Sequence, residues 1–136
     1  MKPLAPFLPV VTHPVVAICF GASLGALARW RLGLWLNHPD GWMPWGTLAA
    51  NLIGGFLIGL VLGYAHHLDL APVWRLMIIT GFMGALTTFS SFSAEVVEMA
   101  LAARYVQAFG TVVLHLFGSL TMTLVGIKLA AVLFAR

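Results

Sequence analysis

The sequence predicts an all-α integral membrane protein with four transmembrane helices in each subunit. Of its 136 residues, 61% are hydrophobic and only 8% are charged, whereas soluble domains carry about 25% charged residues. Four long stretches contain almost no charge, and about 20 apolar residues are enough for a helix to cross a bilayer. The loops between these stretches are too short for a second domain, so we expect a single domain over residues 1–136.

The first two spans are predicted at about 15–37 and 46–67. The first span is free of charge except for Arg29 and Arg31. Its apolar pattern continues through Trp30, beyond the length of a signal-peptide core, and we therefore interpret it as a retained helix.

The third and fourth spans are predicted at about 73–102 and 106–133. No Asp, Glu, Lys or Arg occurs from 76 to 94 or from 105 to 127. Amphipathic aromatic side chains favour the headgroup level of a bilayer. They lie near the predicted helix ends at Trp35, Trp42, Trp45, Tyr64, Trp74 and Tyr105.

Glycines recur at four-residue spacing in the first two spans. They are Gly21 and Gly25 in the first span, and Gly55, Gly59 and Gly63 in the second. Small residues at this spacing allow helix backbones to approach closely in lipid. We therefore interpret these glycines as packing faces.

The charges flanking the spans are nearly balanced across the membrane. Four spans place both termini on one side, with Lys2, Arg75, Lys128 and Arg136, and the other side carries Arg29, Arg31 and Arg104. The positive-inside bias therefore nearly cancels. Either one orientation is fixed by another cause, or the chain inserts both ways. Insertion both ways would allow an antiparallel, dual-topology homodimer with two-fold symmetry. Since four short helices leave little room for a hydrated path, we expect function to need a dimer.

Composition also excludes some classes of function. Lys and Arg are scattered, whereas a nucleic-acid interface needs them clustered. The single cysteine, Cys19, can form neither an intrachain disulfide nor a metal cluster. No nucleotide-binding motif is present, and we do not expect an enzyme.

The densest polar cluster lies inside the third span, in GFMGALTTFSSFSAE from Gly81 to Glu95. Gly81, Gly84 and the pair Thr87-Thr88 are poor helix formers. They predict that the helix unwinds near the bilayer centre, and a kinked but continuous helix is the alternative. Unwound backbone at that depth must be buried in protein or line a cavity, where its free carbonyls can hold a cation.

Two phenylalanines follow the predicted break on one helical face, at Phe89 and Phe92. They are interleaved with hydroxyl groups, including Thr88 and Ser91. Because the edge of an aromatic ring is positive, edges turned toward a narrow polar path would stabilise an anion without a full charge that traps it. Simple packing is the alternative.

The remaining intramembrane polar residues fit either structure or transport. Asn51 in the second span could form an interhelical hydrogen bond or present an amide donor to an anion path. Thr111, His115 and Ser119 recur every four residues and share one face of the fourth span. Hydroxyl groups in helices often bond their own backbone, but three in register favour a polar stripe.

Two charged residues near helix ends have equally open roles. Arg29 could reach the headgroups with its long side chain or supply positive potential at a vestibule. Glu95 could be interfacial. If it faces inward, we expect it to pair with a cation such as Arg29.

Three blocks of the chain occur in the order GASLGALARW, WGTLAANLIGGFLIG and GFMGALTTFSSFSAE. Together they resemble the signature blocks of the Fluc (CrcB) fluoride channels, and the resemblance covers about positions 21 to 98. It implies an antiparallel dual-topology homodimer of four-helix subunits with two fluoride pores. It also implies a structural Na⁺ on the dimer axis and passive export of fluoride across the cell inner membrane.

The resemblance also implies roles for single residues. Backbone carbonyls of Gly84 and Thr87 would hold the sodium ion, and the ring edges of Phe89 and Phe92 would contact fluoride. Asn51 corresponds to the pore asparagine. The implied pore further includes Thr88, Ser91, Thr111, His115 and Ser119, with Arg29 and Glu95 at the vestibule. At position 115 a hydroxyl residue is expected, and His115 departs from that pattern.

Two other functions are compatible with four apolar helices. A small proton-coupled drug exporter needs a carboxylate deep in the membrane, but the first, second and fourth spans contain no Asp or Glu, and Glu95 comes late in the third. A non-transporting membrane scaffold would have no use for the cluster of phenylalanine and hydroxyl residues. Both alternatives therefore explain the sequence less well than a fluoride channel.

Overall fold

The computed structural model describes residues 8–64 and 71–134, and the part of the chain that it describes is helical with short connections and no strand. The elements are α1 (Leu8–Leu36), α2 (Trp45–Tyr64), α3 (Pro72–Arg75), a π-helical segment (Leu76–Met83), α4 (Gly84–Leu86), α5 (Phe89–Leu101) and α6 (Tyr105–Phe134). Within these described residues, four spans are long and apolar enough to cross a membrane: His13–Leu36, Trp45–Tyr64, Pro72–Leu101 and Tyr105–Leu133. The chain is therefore a multi-pass membrane protein built, over its described part, from helices.

The observed helix ends agree with the predicted spans to within a few residues wherever both are described. The exception is the start of α1, which begins at Leu8, several residues before the predicted span. The predicted end of the second span, 65–67, lies outside the described residues. The same is true of Lys2 and Arg136 in the charge comparison.

The third span is interrupted at Thr87 and Thr88, as the polar cluster predicts. Thr87 has an extended backbone with ψ 152°, and Thr88 follows with φ −150° and ψ 122°. The glycines, however, do not take part in the interruption. Gly81 lies inside the π-helical segment, and Gly84 has helical angles of φ −63° and ψ −33°. The expectation that both glycines help to unwind the helix is therefore wrong.

Gly21 and Gly25 instead make a close contact between α1 and the π-helical segment. A Cβ atom on Gly21 would collide with the carbonyl oxygen of Met77, and one on Gly25 would collide with that of Phe82. Gly81 closes the contact from the other side, since a Cβ there would lie 2.6 Å from the oxygen of Ile18. The glycine spacing in the first span therefore marks a packing face, as predicted.

The glycines of the second span pack α2 against α6 in the same way. Cβ atoms on Gly55 and Gly59 would meet the backbones of Ser119 and Thr123. In return, a Cβ atom on Gly126 of α6 would collide with backbone of α2. Because both backbones are this close, the polar side chains that α2 and α6 carry at the same level are brought together.

The loop between α1 and α2 and the turn between α5 and α6 are tied together at one end of the bundle. Arg104 donates from Nη2 to the carbonyls of Gly41 (3.0 Å) and Trp42 (3.3 Å). Its Nε donates to Gln107 Oε1 at 2.9 Å. The turn itself contains Ala103 with φ 58°, a left-handed conformation that favours glycine.

Candidate functional site

The site is built around the interruption, where α5 begins with a hydroxyl cap. Thr88 Oγ1 accepts a hydrogen bond from the backbone N–H of Ser91 at 3.1 Å and donates to Ser91 Oγ, also at 3.1 Å. Such a cap satisfies one of the backbone donors that the first turn of a helix leaves free. The hydroxyls of Thr88 and Ser91 therefore fix the direction in which α5 leaves the break.

Asn51 of α2 pairs with the peptide groups of Thr88 at the interruption. Its Nδ2 donates to the Thr88 carbonyl at 3.0 Å, and its Oδ1 accepts from the Thr88 N–H at 2.8 Å. An interrupted helix in a membrane needs such partners, because lipid supplies none. Of the two roles open to Asn51, the interhelical hydrogen bond is therefore present.

His115 of α6 extends this polar cluster. Its Nδ1 lies 3.0 Å from Asn51 Nδ2. The imidazole stacks on the ring of Phe92, with ring centroids 4.5 Å apart and planes inclined by 25°. Phe92 in turn meets Phe89 edge-on, at 5.5 Å and 62°. A continuous row of rings thus runs from Phe89 to the imidazole.

These residues line a cavity of about 360 Å³. Its wall is formed by Asn51, Gly55, Thr87, Thr88, Phe89, Phe92, His115, Leu116, Ser119 and Leu120. The structure therefore brings together six of the eight residues that were predicted to form the pore. They come from α2, the interruption, α5 and α6, and the cavity is apolar except for a few converging polar groups.

Two predicted pore residues lie elsewhere. Thr111 is fully buried and donates to the sulfur of Met99 at 3.6 Å, so it packs α6 against α5. Ser91 is used in the cap at Thr88 and is not part of the cavity wall. The polar stripe of α6 therefore faces the cavity at His115 and Ser119 but not one turn earlier.

Glu95 hydrogen bonds to α2 and not to Arg29. The Thr47 hydroxyl donates to Glu95 Oε1 at 2.5 Å. The expected pairing of Glu95 with Arg29 fails because α5 packs against α2 and α6, whereas α1 packs against the π-helical segment, α2, α3 and α4. Arg29 lines neither the cavity at the interruption nor a second cavity beside Glu95.

Thr47 is one of the intramembrane polar residues visible in the sequence, but the sequence alone gave it no role. Its hydroxyl accepts from Asn37 Nδ2 at 3.4 Å while it donates to Glu95, and Asn37 Oδ1 accepts from the Gly46 N–H at 2.6 Å. The available signal was its position one turn before Asn51 on the same face of α2.

A second cavity of about 320 Å³ lies one turn further along α5, at the end of the bundle that Arg104 ties together. Glu95 and Glu98 line it from α5, and Arg104 lines it from the adjacent turn. Its remaining wall is formed by residues of the loop and the helix ends: Asn37, His38, Pro39, Gly41, Met43, Pro44, Met99 and Ala102. Glu95 therefore lies on the wall of a second, polar cavity at this end of the bundle.

The backbone around Gly84 is open. Gly84 is exposed, and a Cβ atom there would approach only the oxygen of Ile79, at 3.6 Å. The final carbonyls of a helix have no partner within it, and α4 ends at Leu86. The Met83 carbonyl accepts from both the N–H (3.1 Å) and the hydroxyl (3.0 Å) of Thr87.

Comparison with known proteins gives consistent matches over most of the chain. The family model described as CrcB-like protein, Camphor Resistance (CrcB), matches residues 16–127. The chain is 66% identical to the fluoride-specific ion channel FluC of Albidiferax ferrireducens over 122 residues, covering 89% of this chain and 93% of that protein.

Similar matches come from other bacteria. The identity is 59% to the fluoride-specific ion channel FluC of Variovorax paradoxus over 116 residues, covering 85% of this chain and 92% of the relative. It is 54% to the protein of the same name from Pseudomonas aeruginosa over 114 residues, covering 83% and 90%.

Proposed function

Because the chain belongs to the CrcB-like family, we propose that it forms a passive, fluoride-selective channel in the cell inner membrane. The observation that carries this proposal is the cavity at the interruption of the third span. It combines the rings of Phe89 and Phe92 with polar groups of Thr88, His115 and Ser119. The activity is transport and not catalysis.

The wall of this cavity suits a small, strongly hydrated anion. Such an ion leaves water only where donors and positive ring edges replace its hydration over short distances. The rings of Phe89 and Phe92 are inclined by 62° to each other, and this arrangement supports a wall in which positive ring edges meet the anion. None of the described residues that line the cavity is Lys or Arg, so an anion would bind weakly enough to leave again.

The direction of transport follows from the chemistry of fluoride. Uncharged HF crosses the bilayer and dissociates in the cytoplasm, which leaves the anion inside. An inside-negative membrane potential drives an anion outward by about 2.3 kcal/mol per 100 mV. A channel without an energy source is therefore sufficient to lower cytoplasmic fluoride.

The working unit that we propose is an antiparallel, dual-topology homodimer with a pore for each subunit. Phe89 is 78% exposed in the single chain although it forms part of the cavity wall. A second copy would complete the wall on that side. The nearly balanced charges at the two ends of the bundle support insertion in both orientations.

We further propose a structural Na⁺ held between the two subunits by the backbone carbonyls of Gly84 and Thr87. The described residues contain no group of three or more His, Cys, Asp or Glu that could hold a metal ion. Carbonyls at the end of an interrupted helix are alternative ligands for a cation. The open surface at Gly84 fits such a site.

The deciding experiment is ion efflux from liposomes that contain the purified protein. Liposomes are loaded with the potassium salt of either anion and diluted into a medium low in K⁺. Fluoride should leave rapidly once valinomycin lets K⁺ leave with it, and chloride should stay. Equal and slow loss of both anions would overturn the channel and support a scaffold. Exchange of organic cations for protons, without efflux of fluoride, would instead support an exporter.

A further inference from the structure

The hydrogen bonds around Asn51 determine the orientation of its amide. A backbone N–H can only donate, so the Asn51 atom that lies 2.8 Å from the Thr88 nitrogen is the oxygen Oδ1. The amide nitrogen Nδ2 must then be the atom that faces the Thr88 carbonyl at 3.0 Å. The two bonds are consistent with each other, and an exchanged amide would break both.

The orientation of Asn51 in turn determines the proton on His115. The amide Nδ2 has only donor hydrogens, and His115 Nδ1 lies 3.0 Å from it. The ring nitrogen must therefore accept. In a neutral imidazole one nitrogen accepts and the other carries the proton, so the proton of His115 belongs on Nε2.

This N–H is buried without a partner. His115 is only 5% exposed, and Nε2 has no hydrogen-bond partner among the described residues. A buried donor without a partner is costly, and native structures usually explain it by a bound ion or water. The other buried atom in this condition is Glu95 Oε2, but a carboxylate oxygen attracts no anion.

We propose that Asn51 locks His115 in the Nε2–H tautomer and that this N–H is the donor that binds the permeating anion in the cavity. The inference rests on the proposed function, because it assumes that the cavity lies on the anion path. Stacking on Phe92 holds the plane of the imidazole, and the bond to Asn51 sets its rotation. The N–H thus has a fixed direction, which the hydroxyl group expected at this position would lack.

Two substitutions separate the two nitrogens. His115→Gln places an amide group near the position of Nε2 and keeps a donor there. His115→Asn keeps an acceptor near Nδ1, but its side chain is too short to place a donor at the position of Nε2. We expect H115N to lower fluoride efflux by about 10- to 100-fold, as for a lost hydrogen bond to a charged group. We expect H115Q to stay within about fivefold of the unchanged protein, because it retains a donor of the same type.

The flux results have clear opposing outcomes. H115N that conducts as well as the unchanged protein would overturn the inference. Equal losses in both variants would also overturn it, since the packing of the ring on Phe92 would then matter and not the donor. Gel filtration in detergent shows whether each variant is folded. If H115N is not folded, the efflux of H115Q is compared with that of the unchanged protein.

The tautomer can be measured without any flux assay. In protein labelled with ¹⁵N-histidine and reconstituted in lipid, the imidazole signals missing from H115Q identify His115. We expect its Nε2 to be protonated and its Nδ1 to be unprotonated. A protonated Nδ1 would overturn the inference. Added fluoride should shift the Nε2–H signal, and the same concentration of chloride should not.

The two assays distinguish failure of the inference from failure of the proposed function. If the unchanged protein does not conduct fluoride, the channel proposal fails whatever the NMR spectrum shows. If it conducts and His115 carries its proton on Nδ1, or the Nε2–H signal ignores fluoride, only the inference about His115 fails.

Discussion

The amide of Asn51 pairs with both the N–H and the carbonyl of Thr88, at 2.8 and 3.0 Å. One side chain of α2 thus replaces backbone partners that the third span loses where it is interrupted. The same amide nitrogen reaches His115. Asn51 therefore links the broken span to α6, and the geometry of the cavity depends on it.

Removing this link should affect stability and transport together. In Asn51→Ala, the peptide groups of Thr88 lose their partners, at about 1–3 kcal/mol for each buried group left unpaired. We expect a lower unfolding temperature in detergent and strongly reduced fluoride efflux. Asn51→Asp is the matched comparison, because it keeps an acceptor for the Thr88 N–H but loses both donors. An alanine variant with unchanged efflux would remove Asn51 from the transport pathway.

Phe92 should matter for transport, and an exposed phenylalanine outside the cavity should not. Phe92→Leu removes the ring that stacks on His115 and meets Phe89, so we expect fluoride efflux to fall by at least about tenfold, or 1.4 kcal/mol. The control is Phe109→Leu, because Phe109 is 72% exposed and lies outside the cavity wall. Equal effects of the two substitutions would contradict a role for the Phe92 ring.

Glycines at two positions should respond differently to the same added methyl group. In Gly59→Ala the new Cβ collides with the Thr123 backbone, which should separate α2 from α6 and lower the unfolding temperature. In Gly84→Ala the Cβ meets only ordinary contact within the chain. Any effect there should appear in formation of the proposed dimer, measured by glutaraldehyde cross-linking with and without Na⁺. A subunit destabilised equally by both changes would contradict this assignment.

The left-handed turn at Ala103 should be a site where glycine stabilises the protein. Ala103 has φ 58°, and alanine is strained there while glycine is not. Relief of that strain is worth about 1 kcal/mol, less the added entropy of glycine in the unfolded chain. We expect Ala103→Gly to raise the unfolding temperature slightly. Ala102→Gly is the control, since Ala102 has φ −81° and gains nothing from glycine.

Local sequence patterns predict much of the fold. The absence of charge over long stretches and the aromatic residues near their ends predict the four spans to within a few residues, except for the earlier start of α1. The spacing of Gly21 with Gly25, and of Gly55 with Gly59, identifies the faces that pack. The interruption at Thr87 and Thr88 is also predictable, because hydroxyl residues compete for backbone hydrogen bonds.

The predictions that the structure contradicts concern how each helix is rotated and which side chains pair. Gly84 is helical although its propensity is poor, since propensity is easily overridden by packing. Thr111 shares a helical face with His115 by spacing, but it turns toward Met99 and stays out of the cavity. Glu95 bonds to Thr47 and not to Arg29 because α1 does not pack against α5.

The sequence by itself determined the membrane location, the four spans, their packing faces and the place of the break. These follow from hydrophobicity and residue size, which act on each segment separately. Only the tertiary structure decided that Asn51 pairs with Thr88, 37 positions away, and that Thr47 pairs with Glu95, 48 positions away. Such pairs depend on how each helix is rotated against its neighbours. The packing of the whole bundle sets that rotation. It thereby also sets which ring nitrogen of His115 carries the proton.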